Sequence, residues 1–275
     1  MSFARRVGRK VKRIVQHAMP NPTHKIMPRS EQKRVERIPR FVQGTAKLLG
    51  QDIIFTDSLG FMHSFHEIFV DQVYAFHSTD PSPLIVDVGS NIGLSIIFFK
   101  RQFPNSRIIA FEPDPYAFQA LEANMAVMGY RDVDLRNTAA WVEDTELEFF
   151  VEGSLAGSTE VDCRGVGQVR RVRAERLHSV LARSQPIDLL KMDIEGAENT
   201  VIFDLLDVLP NTKRLFLEYH GLQNRPQRLG DILNAVSTAG FRYSIKDAAP
   251  NKLRPFADPN QSPFDPQLNI FCVRA

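Results

Sequence analysis

Short apolar runs alternate with segments of helical periodicity from about residue 84 to the C-terminus. Apolar runs of about four to eight residues are typical of strands, and apolar positions three or four residues apart are typical of helices. This alternation predicts a mostly parallel, doubly wound sheet with helices on both faces. The predicted strands are 84–88, 107–111, 132–141, 187–192, 214–219, 241–246 and 268–273, with a hairpin strand at 168–172. The predicted helices are 93–102, 115–128, 175–183, 197–209 and 229–239.

Local signals mark several boundaries of these elements. Ser90 and Asn91 are predicted to cap the first helix, and Asp114 the second, which Gly129 ends. The last two strands are joined by the proline-rich segment 250–266, which offers no crossover helix, so we expect them to pair antiparallel. We also expect this segment to shape an acceptor pocket.

The turn after the first strand carries a first functional signal. The sequence LIVDVGSNIG (84–93) departs from the dinucleotide pattern G-x-G-x-x-G, because Asn91 and Leu94 occupy the second and third glycine positions. Asp87 precedes the first glycine by two residues, where a carboxylate would repel a phosphate. A carboxylate would instead attract a cationic ligand, which favours S-adenosylmethionine over a nicotinamide dinucleotide.

The end of the second strand supports a nucleoside ligand. Glu112 follows Asp87 by 25 residues and can accept hydrogen bonds from two ribose hydroxyls. A nicotinamide enzyme would use the same device, so Glu112 alone does not discriminate between the two cofactors.

Charged residues also end the fourth strand, in LLKMDIEGAE (189–198). Strand alternation places Lys191 and Asp193 on one face, where they can neutralise one another. Ligands of doubly wound sheets bind beyond the carboxyl ends of the strands, so Asp193 and Glu195 are predicted to stand at the rim of that crevice. Glu198 is expected to offset the dipole of the following helix.

Three residues are candidate bases for a reaction at this rim: Asp193, Glu195 and His220. An unperturbed imidazole titrates near about 6.5, which suits a base at neutral pH. We expect Asp193 to orient or deprotonate an acceptor hydroxyl, assisted by His220 or Glu195. Lys191 and Glu218 are assigned to substrate binding.

The segments LIVDVGSNIGLS, IIAFEPDPYAF, NTAAW, LLKMDIEGAE and LFLEYHG, together with HEIFVDQVYAF upstream, resemble the FkbM family of S-adenosylmethionine-dependent methyltransferases. The resemblance covers about residues 61–273. It implies a Rossmann-like class I methyltransferase fold, with a three-layer α/β/α arrangement and an antiparallel last strand. It also implies methyl transfer, in the better-known members to a hydroxyl oxygen.

The resemblance also implies residue roles. Asp87, Gly89, Asn91 and Gly93 are assigned to the methionine half of S-adenosylmethionine, with Ser90 of the same loop. Glu112 is assigned to the ribose. Ala139, Ala140 and Trp141 fall where the third strand meets the adenine; a backbone contact from Ala140 is expected, whereas Trp141 either stacks on the adenine or packs in the core.

No metal is assigned from the sequence. Asp193, Glu218 and His220 are residue types that could hold a divalent cation acidifying the acceptor, but their spacing matches no specific motif. His63 and His66 lack the HExxH order of a zinc site.

Charge is distributed unevenly along the chain. Residues 1–40 contain twelve Lys or Arg and two Glu. The rest of the chain contains 22 Lys or Arg and 30 Asp or Glu. Within this arm, apolar residues recur at helical spacing up to residue 18, typical either of a helix on an anionic membrane surface or of a solvated extension. The predicted organisation is a basic arm (1–40) in which prolines delay ordered structure until about Phe41, a lead-in segment (41–80) and a methyltransferase domain (81–275).

The leading hypothesis is therefore O-methylation of a hydroxyl on a small molecule or glycan. A nicotinamide-dependent oxidoreductase and a nucleic-acid methyltransferase that uses the arm to hold phosphates are the alternatives, although the acidic body gives no strong nucleic-acid signal. Two widely spaced cysteines fit a reducing compartment. A cytoplasmic location is expected, with peripheral membrane contact through residues 1–18 left open.

Overall fold

A computed structural model describes residues 23–150, 169–184, 186–223, 225–248, 256–257 and 264–274. The predictions for residues 1–22, for the loop 153–159 and for most of the proline-rich segment fall outside these ranges. Within the described residues, none of the helices has the length and apolar character needed to traverse a lipid bilayer.

A seven-stranded sheet forms the centre of the fold. Its strands are β3 (Leu84–Val88), β4 (Arg107–Phe111), β5 (Val133–Arg136), β9 (Leu189–Met192), β10 (Arg214–Leu222), β11 (Phe241–Asp247) and β12 (Phe264–Arg274). The spatial order is β11-β12-β10-β9-β3-β4-β5, and only β12 runs antiparallel to its two neighbours. The predicted doubly wound sheet with an antiparallel last strand is confirmed.

Helices cover both faces of this sheet. They are α1 (Thr23–Ile26), α2 (Arg29–Val35), α3 (Ser58–Phe65), α4 (Leu94–Gln102), α5 (Pro115–Met128), α6 (Leu177–Arg183), α7 (Glu198–Asp204) and α8 (Leu229–Thr238), with a π-helical turn at His66–Val70 and a 3₁₀ turn at Leu209–Asn211. Alternate residues of β3 enter different cores: Ile85 packs with α4, whereas Val86 packs with α7 and α8. This division gives the three-layer α/β/α arrangement.

The predicted strand 132–141 is divided in two. Its first part is β5 of the main sheet, but β6 (Ala139–Trp141) leaves to join a second sheet with β7 (Thr145–Phe150) and β8 (Val169–Arg176). The chain changes sheets at Asn137, whose side-chain amide donates to the Glu112 carbonyl oxygen at 2.8 Å. The predicted hairpin strand is confirmed and longer than expected.

Ordered structure starts well before Phe41. Ile26, Met27 and Val35, on or beside α1 and α2, are buried in the same core as α4. A hairpin that the pattern did not reveal, β1 (Gly44–Leu48) with β2 (Gln51–Phe55), docks on α5, where the Asn124 side chain hydrogen-bonds both backbone groups of Ile54. The prolines of this region therefore separate short elements without preventing them from packing.

Helix boundaries agree with the signals in part. Asp114 caps α5 by accepting from the Tyr116 and Ala117 amides, and Gly129 ends that helix in the left-handed conformation. The predicted capping of α4 by Ser90 and Asn91 is wrong, because left-handed Gly93 occupies the N-cap position without a side-chain bond. The helix predicted at 197–209 ends at Asp204, followed by the 3₁₀ turn.

Candidate functional site

Most of the predicted site residues lie along one edge of the main sheet. Asp87 and Glu112 are near the carboxyl ends of β3 and β4, and Asp193 and Glu195 follow β9 directly. Leu217 of β10 pairs in parallel register with Met192, the last residue of β9, so Glu218 and His220 extend to the same edge. The parallel register thus assembles one crevice from four strands that are distant in sequence.

The glycine loop after β3 is packed tightly against the segment after β9. Gly89 has φ +85°, and a Cβ atom at this position would overlap the backbone carbonyl oxygen of Asp193. Asn91 also has a positive φ, 46°. Glycine at position 89 is required both by the left-handed conformation and by the close approach of two backbones.

Asp87 is fully buried beneath this loop. Its Oδ2 accepts from the Ser95 hydroxyl at 2.5 Å, whereas its Oδ1 receives no hydrogen bond from any described residue. Lys191 Nζ lies 3.5 Å from this Oδ1. A buried carboxylate oxygen with unused acceptor capacity is a feature that a cationic ligand would satisfy.

Glu112 is held by the backbone on either side of it. Its two carboxylate oxygens accept from the Asn91 and Asp114 amides, each at 2.8 Å. Burial raises the pKa of Glu112 to about 8, although the hydrogen bond from the Asp114 backbone amide acts to lower it. The carboxylate is therefore fixed at the mouth of the glycine loop and is sensitive to pH near neutrality.

Lys191 lies under the crevice and is 3% exposed. Its Nζ donates to the Gly89 carbonyl oxygen at 2.6 Å and lies 3.4 Å from Asp193 Oδ2, which confirms the predicted pairing with Asp193. Burial lowers the pKa of Lys191, but the carboxylates of Asp193 and Asp87 outweigh burial and raise it. Such a buried ammonium ties the glycine loop to the segment after β9, and this position does not favour the predicted direct contact with substrate.

Asp193 and Glu195 stand at the rim, as the pattern predicts. Their side chains are 26% and 15% exposed. Glu195 has φ +52° and precedes Gly196, which also has a positive φ. A non-glycine residue in the left-handed region costs free energy, and in this chain Asn91 and Glu195 of the candidate site are two of the residues that adopt it.

His220 is enclosed by three carboxylates. Nδ1 lies 3.3 Å from Glu198 Oε1, and Nε2 lies 3.3 Å from Glu195 Oε2 and 3.5 Å from Glu218 Oε1. Burial lowers the pKa of His220, but Glu195 and Glu198 outweigh burial and raise it well above its ordinary value. The environment of His220 therefore differs from that of the unperturbed imidazole that the sequence analysis assumed, because carboxylates surround the ring.

Glu218 lies beside His220, and its side chain is 15% exposed, as is that of Glu195. Burial, followed by repulsion from Asp193, raises the pKa of Glu218 well above its ordinary value. Acidic groups thus outnumber the two basic groups, Lys191 and His220, around the crevice.

Ala139, Ala140 and Trp141 lie in β6, beside the end of β5. Both alanines are buried. Trp141 packs against two apolar clusters: one lies between α6 and the main sheet, and the other belongs to the second sheet. These contacts favour core packing for Trp141, the second of the two interpretations of its sequence position.

Several residues of the site escaped the sequence analysis. Ser95, the last residue of the segment LIVDVGSNIGLS, binds Asp87 from the first turn of α4, a contact that the pattern did not reveal. Glu67 of the π-helical turn accepts a hydrogen bond from the Asn269 side chain of β12. Burial raises the pKa of Glu67, and repulsion from nearby Asp193 raises it further. Glu198, interpreted as a helix-dipole residue, accepts from the backbone amides of Gly196 and His220. Only Glu198 carried a signal, since an acidic residue beside a glycine turn is a natural partner for free amides.

The strand order, the antiparallel last strand and a crevice at the carboxyl edge define a class I methyltransferase fold. The family described as the methyltransferase FkbM domain matches residues 87–243, more than half of the chain. The chain belongs to this FkbM methyltransferase family, as the sequence resemblance implies.

Two relatives that are similar in sequence are named as methyltransferases. The chain is 30% identical over 171 residues to methyltransferase sdnD of Sordaria araneosa, covering 50% of this chain and 66% of that protein. It is 25% identical over 213 residues to the 31-O-demethyl-FK506 methyltransferase FkbM of Streptomyces tacrolimicus, covering 64% and 80%. The chain thus spans just under two thirds of sdnD. A crystal structure of methyltransferase FkbM from Methylobacillus flagellatus KT aligns with a TM-score of 0.48 and 15% identity, over 71% of this chain and 45% of that one.

Proposed function

We propose that this protein is an S-adenosylmethionine-dependent methyltransferase that methylates a hydroxyl oxygen of a small molecule or glycan. The proposal depends most on one observation: Asp87 Oδ1 is buried at the end of β3 without a hydrogen bond from the described residues, beside a glycine loop. Family membership supports methyl transfer, and the name of the Streptomyces relative indicates an oxygen acceptor in that protein.

The residues of the loop fit S-adenosylmethionine better than a dinucleotide. Asp87 would hold the cationic methionine half together with the loop from Gly89 to Gly93, and Glu112 would accept from the ribose hydroxyls. A pyrophosphate at this position would lie near the buried carboxylate of Asp87 and the acidic rim, which disfavours the nicotinamide alternative. When bound, S-adenosylmethionine supplies a methyl group attached to a cationic sulfur.

Asp193 is the residue best suited to the acceptor hydroxyl. Among the three candidate bases it has the most exposed side chain, at 26%, whereas His220 is fully buried. Asp193 would orient the hydroxyl and take its proton as the oxygen gains the methyl carbon. Its neighbour Lys191, with Nζ 3.4 Å from Asp193 Oδ2, compensates part of its charge. Glu195 lines the same rim, and His220 acts as a positioning residue behind it.

Calorimetry with the full chain tests the cofactor. S-adenosylhomocysteine should bind in a one-to-one ratio, and NAD⁺ should give no heat of binding. Asp87→Asn should weaken the binding of S-adenosylmethionine more than that of the uncharged sulfur analogue S-adenosylhomocysteine, because the variant removes a negative charge. Binding of NAD⁺ alone would reject the proposal.

Labelled methyl donor and a panel of hydroxylated metabolites and glycans test the reaction. With an accepted substrate, Asp193→Asn should lower kcat by about 10²–10⁴-fold, the usual contribution of a positioned base. Affinity for S-adenosylhomocysteine should change little. Asp71→Asn, which removes a carboxylate beyond the π-helical turn, is the matched control. Normal turnover in Asp193→Asn would exclude this residue as the base.

A further inference from the structure

We propose that Asp193, Glu195 and His220 form a binding site for one divalent first-row transition-metal ion. One ligand atom from each of the three side chains lies within 4.8 Å of the other two. Three ligand atoms about 2.1 Å from a common ion lie about 3.0–3.6 Å from one another, so closing the site requires movements of up to about 1 Å. The rim position of both carboxylates leaves room for such movements.

The imidazole of His220 is arranged as that of a metal ligand. Metal-binding histidines characteristically direct the second ring nitrogen at a carboxylate or carbonyl group, which fixes the orientation of the ring. Here Nδ1 faces Glu198 Oε1 at 3.3 Å, and the same oxygen accepts from the His220 amide at 2.7 Å. Nε2 is left directed at the carboxylates of Glu195 and Glu218, without a hydrogen bond from any described residue.

Glu198 has the burial and contacts of a supporting residue. Its side chain is completely buried, and its second oxygen accepts from the Gly196 amide at 2.8 Å. One carboxylate therefore fixes both the His220 ring and the turn that carries Glu195. The ring is also packed on its side by Phe264, with 4.9 Å between ring centroids. This support limits the directions in which Nε2 can point.

The donor set indicates the class of ion. One imidazole nitrogen with two carboxylates is a mixed set: carboxylates suit Mg²⁺ and Mn²⁺, and imidazole suits Zn²⁺ and its neighbours in the first row. Mn²⁺ accepts both donor types and is the probe of choice. Glu218 Oε1, 3.5 Å from Nε2, is close enough to supply a fourth ligand after a side-chain movement.

The role of the ion in methyl transfer rests on the proposed function. Each residue contributes one ligand atom, so Asp193 retains a second oxygen for the acceptor hydroxyl. A bound cation would hold the acceptor oxygen beside this carboxylate and lower the pKa of the hydroxyl. The site itself can be tested without any methyl acceptor.

The test is a titration of the full chain with Mn²⁺, after bound metal has been stripped with EDTA and the EDTA removed. Binding is measured as the decrease in the EPR signal of free aqueous Mn²⁺. One ion should bind per chain, and Asp193→Asn and Glu195→Gln should each weaken binding by more than about tenfold. Glu198→Gln should weaken it by about 10–100-fold, the usual effect of a residue that supports a ligand. Circular dichroism identifies variants that fail to fold; both rim variants are expected to fold, since neither side chain is fully buried.

Glu67→Gln is the matched control, because Glu67 adds negative charge near Asp193 without belonging to the ligand set. It should retain Mn²⁺ affinity within about threefold, a modest electrostatic effect. The absence of saturable binding in the wild-type chain would overturn the site, as would equal affinity in the rim variants or an equal loss in Glu67→Gln. Calorimetry with S-adenosylhomocysteine on the same samples separates the two proposals. If the chain binds Mn²⁺ but not S-adenosylhomocysteine, only the proposed function is rejected.

Discussion

Lys191 Nζ lies 3.5 Å from Asp87 Oδ1, and both side chains are almost completely buried. The two residues are adjacent because β9 and β3 pair in parallel with Lys191 opposite Asp87. The lysine also donates to the Gly89 carbonyl oxygen, so one ammonium joins the proposed cofactor loop to the acceptor rim. This pairing links the two halves of the site.

Replacing the lysine should therefore destabilise the fold. Lys191→Met leaves Asp87 as an uncompensated buried carboxylate, and breaking a buried pair in this way typically costs about 3–5 kcal/mol. Urea denaturation should show this loss, and Asp87→Asn in the same chain should recover part of it. Lys47→Met, which breaks an exposed pair with Asp52, should cost no more than about 1 kcal/mol. Equal effects of the two lysine variants would contradict the burial argument.

Gly89→Ala should be far more harmful than the same change at Gly50. Both glycines have φ near +85°, but nothing lies within 4 Å of a Cβ atom at Gly50. Gly50→Ala should therefore lower the free energy of unfolding only by the cost of holding alanine in the left-handed conformation, about 1–2 kcal/mol. Gly89→Ala must in addition move the segment after β9, so thermal unfolding should show a larger loss and calorimetry a loss of S-adenosylhomocysteine binding. Similar stability of both variants would mean that the two backbones separate easily.

Cofactor affinity should depend on pH through Glu112. In the proposed complex, ribose hydroxyls would donate to the ionised carboxylate of Glu112, and burial raises the pKa of this group to about 8. Affinity for S-adenosylhomocysteine is therefore expected to rise with pH up to about 8 and then level off. Glu112→Gln should bind more weakly and lose this dependence. An unchanged pH profile in the variant would assign the titration to another group.

The same group should affect stability in the opposite direction. Between its ordinary pKa of 4.5 and about 8, Glu112 binds a proton in the folded chain but not in the unfolded chain. Its contribution to the free energy of unfolding therefore falls as pH rises through this interval and is constant above it. The difference in unfolding free energy between wild type and Glu112→Gln, measured by urea denaturation across this range, should follow that sign.

Membrane binding by the basic arm is tested by deleting residues 2–22. The deletion stops there because Ile26 and Val35 are buried in the core. If the arm lies on anionic membranes, the full chain should co-sediment with vesicles containing phosphatidylserine, and salt should weaken this. Vesicles of phosphatidylcholine alone are the control. Equal pelleting of the full and truncated chains would exclude the membrane role.

Strands were predicted well where each is a self-contained apolar run. Leu84–Val88 and Arg107–Phe111 have the predicted bounds, and α5 begins and ends at its local signals. The division of 132–141 between two sheets could not be predicted, because both halves have the same strand-like pattern. Their separation depends on Asn137, whose bond to the Glu112 carbonyl forms only in the folded chain.

The candidate site divides in the same way. The sequence placed Asp87, Glu112, Asp193 and Glu195 at strand ends, because strand length and the α/β rhythm are local properties that imply one shared edge. It did not reveal that His220 is buried among Glu195, Glu198 and Glu218, since these residues meet only across β9, β10 and α7.

By itself, the sequence determined the doubly wound sheet and the edge that carries the candidate site, because apolar periodicity and turn residues act over a few neighbouring positions. Its motifs indicated the family. The tertiary structure alone decided the carboxylate surroundings of His220, the burial of Lys191 and the grouping of possible metal ligands. Those properties depend on desolvation and on charges brought close by pairing between distant segments, and no local pattern contains that information.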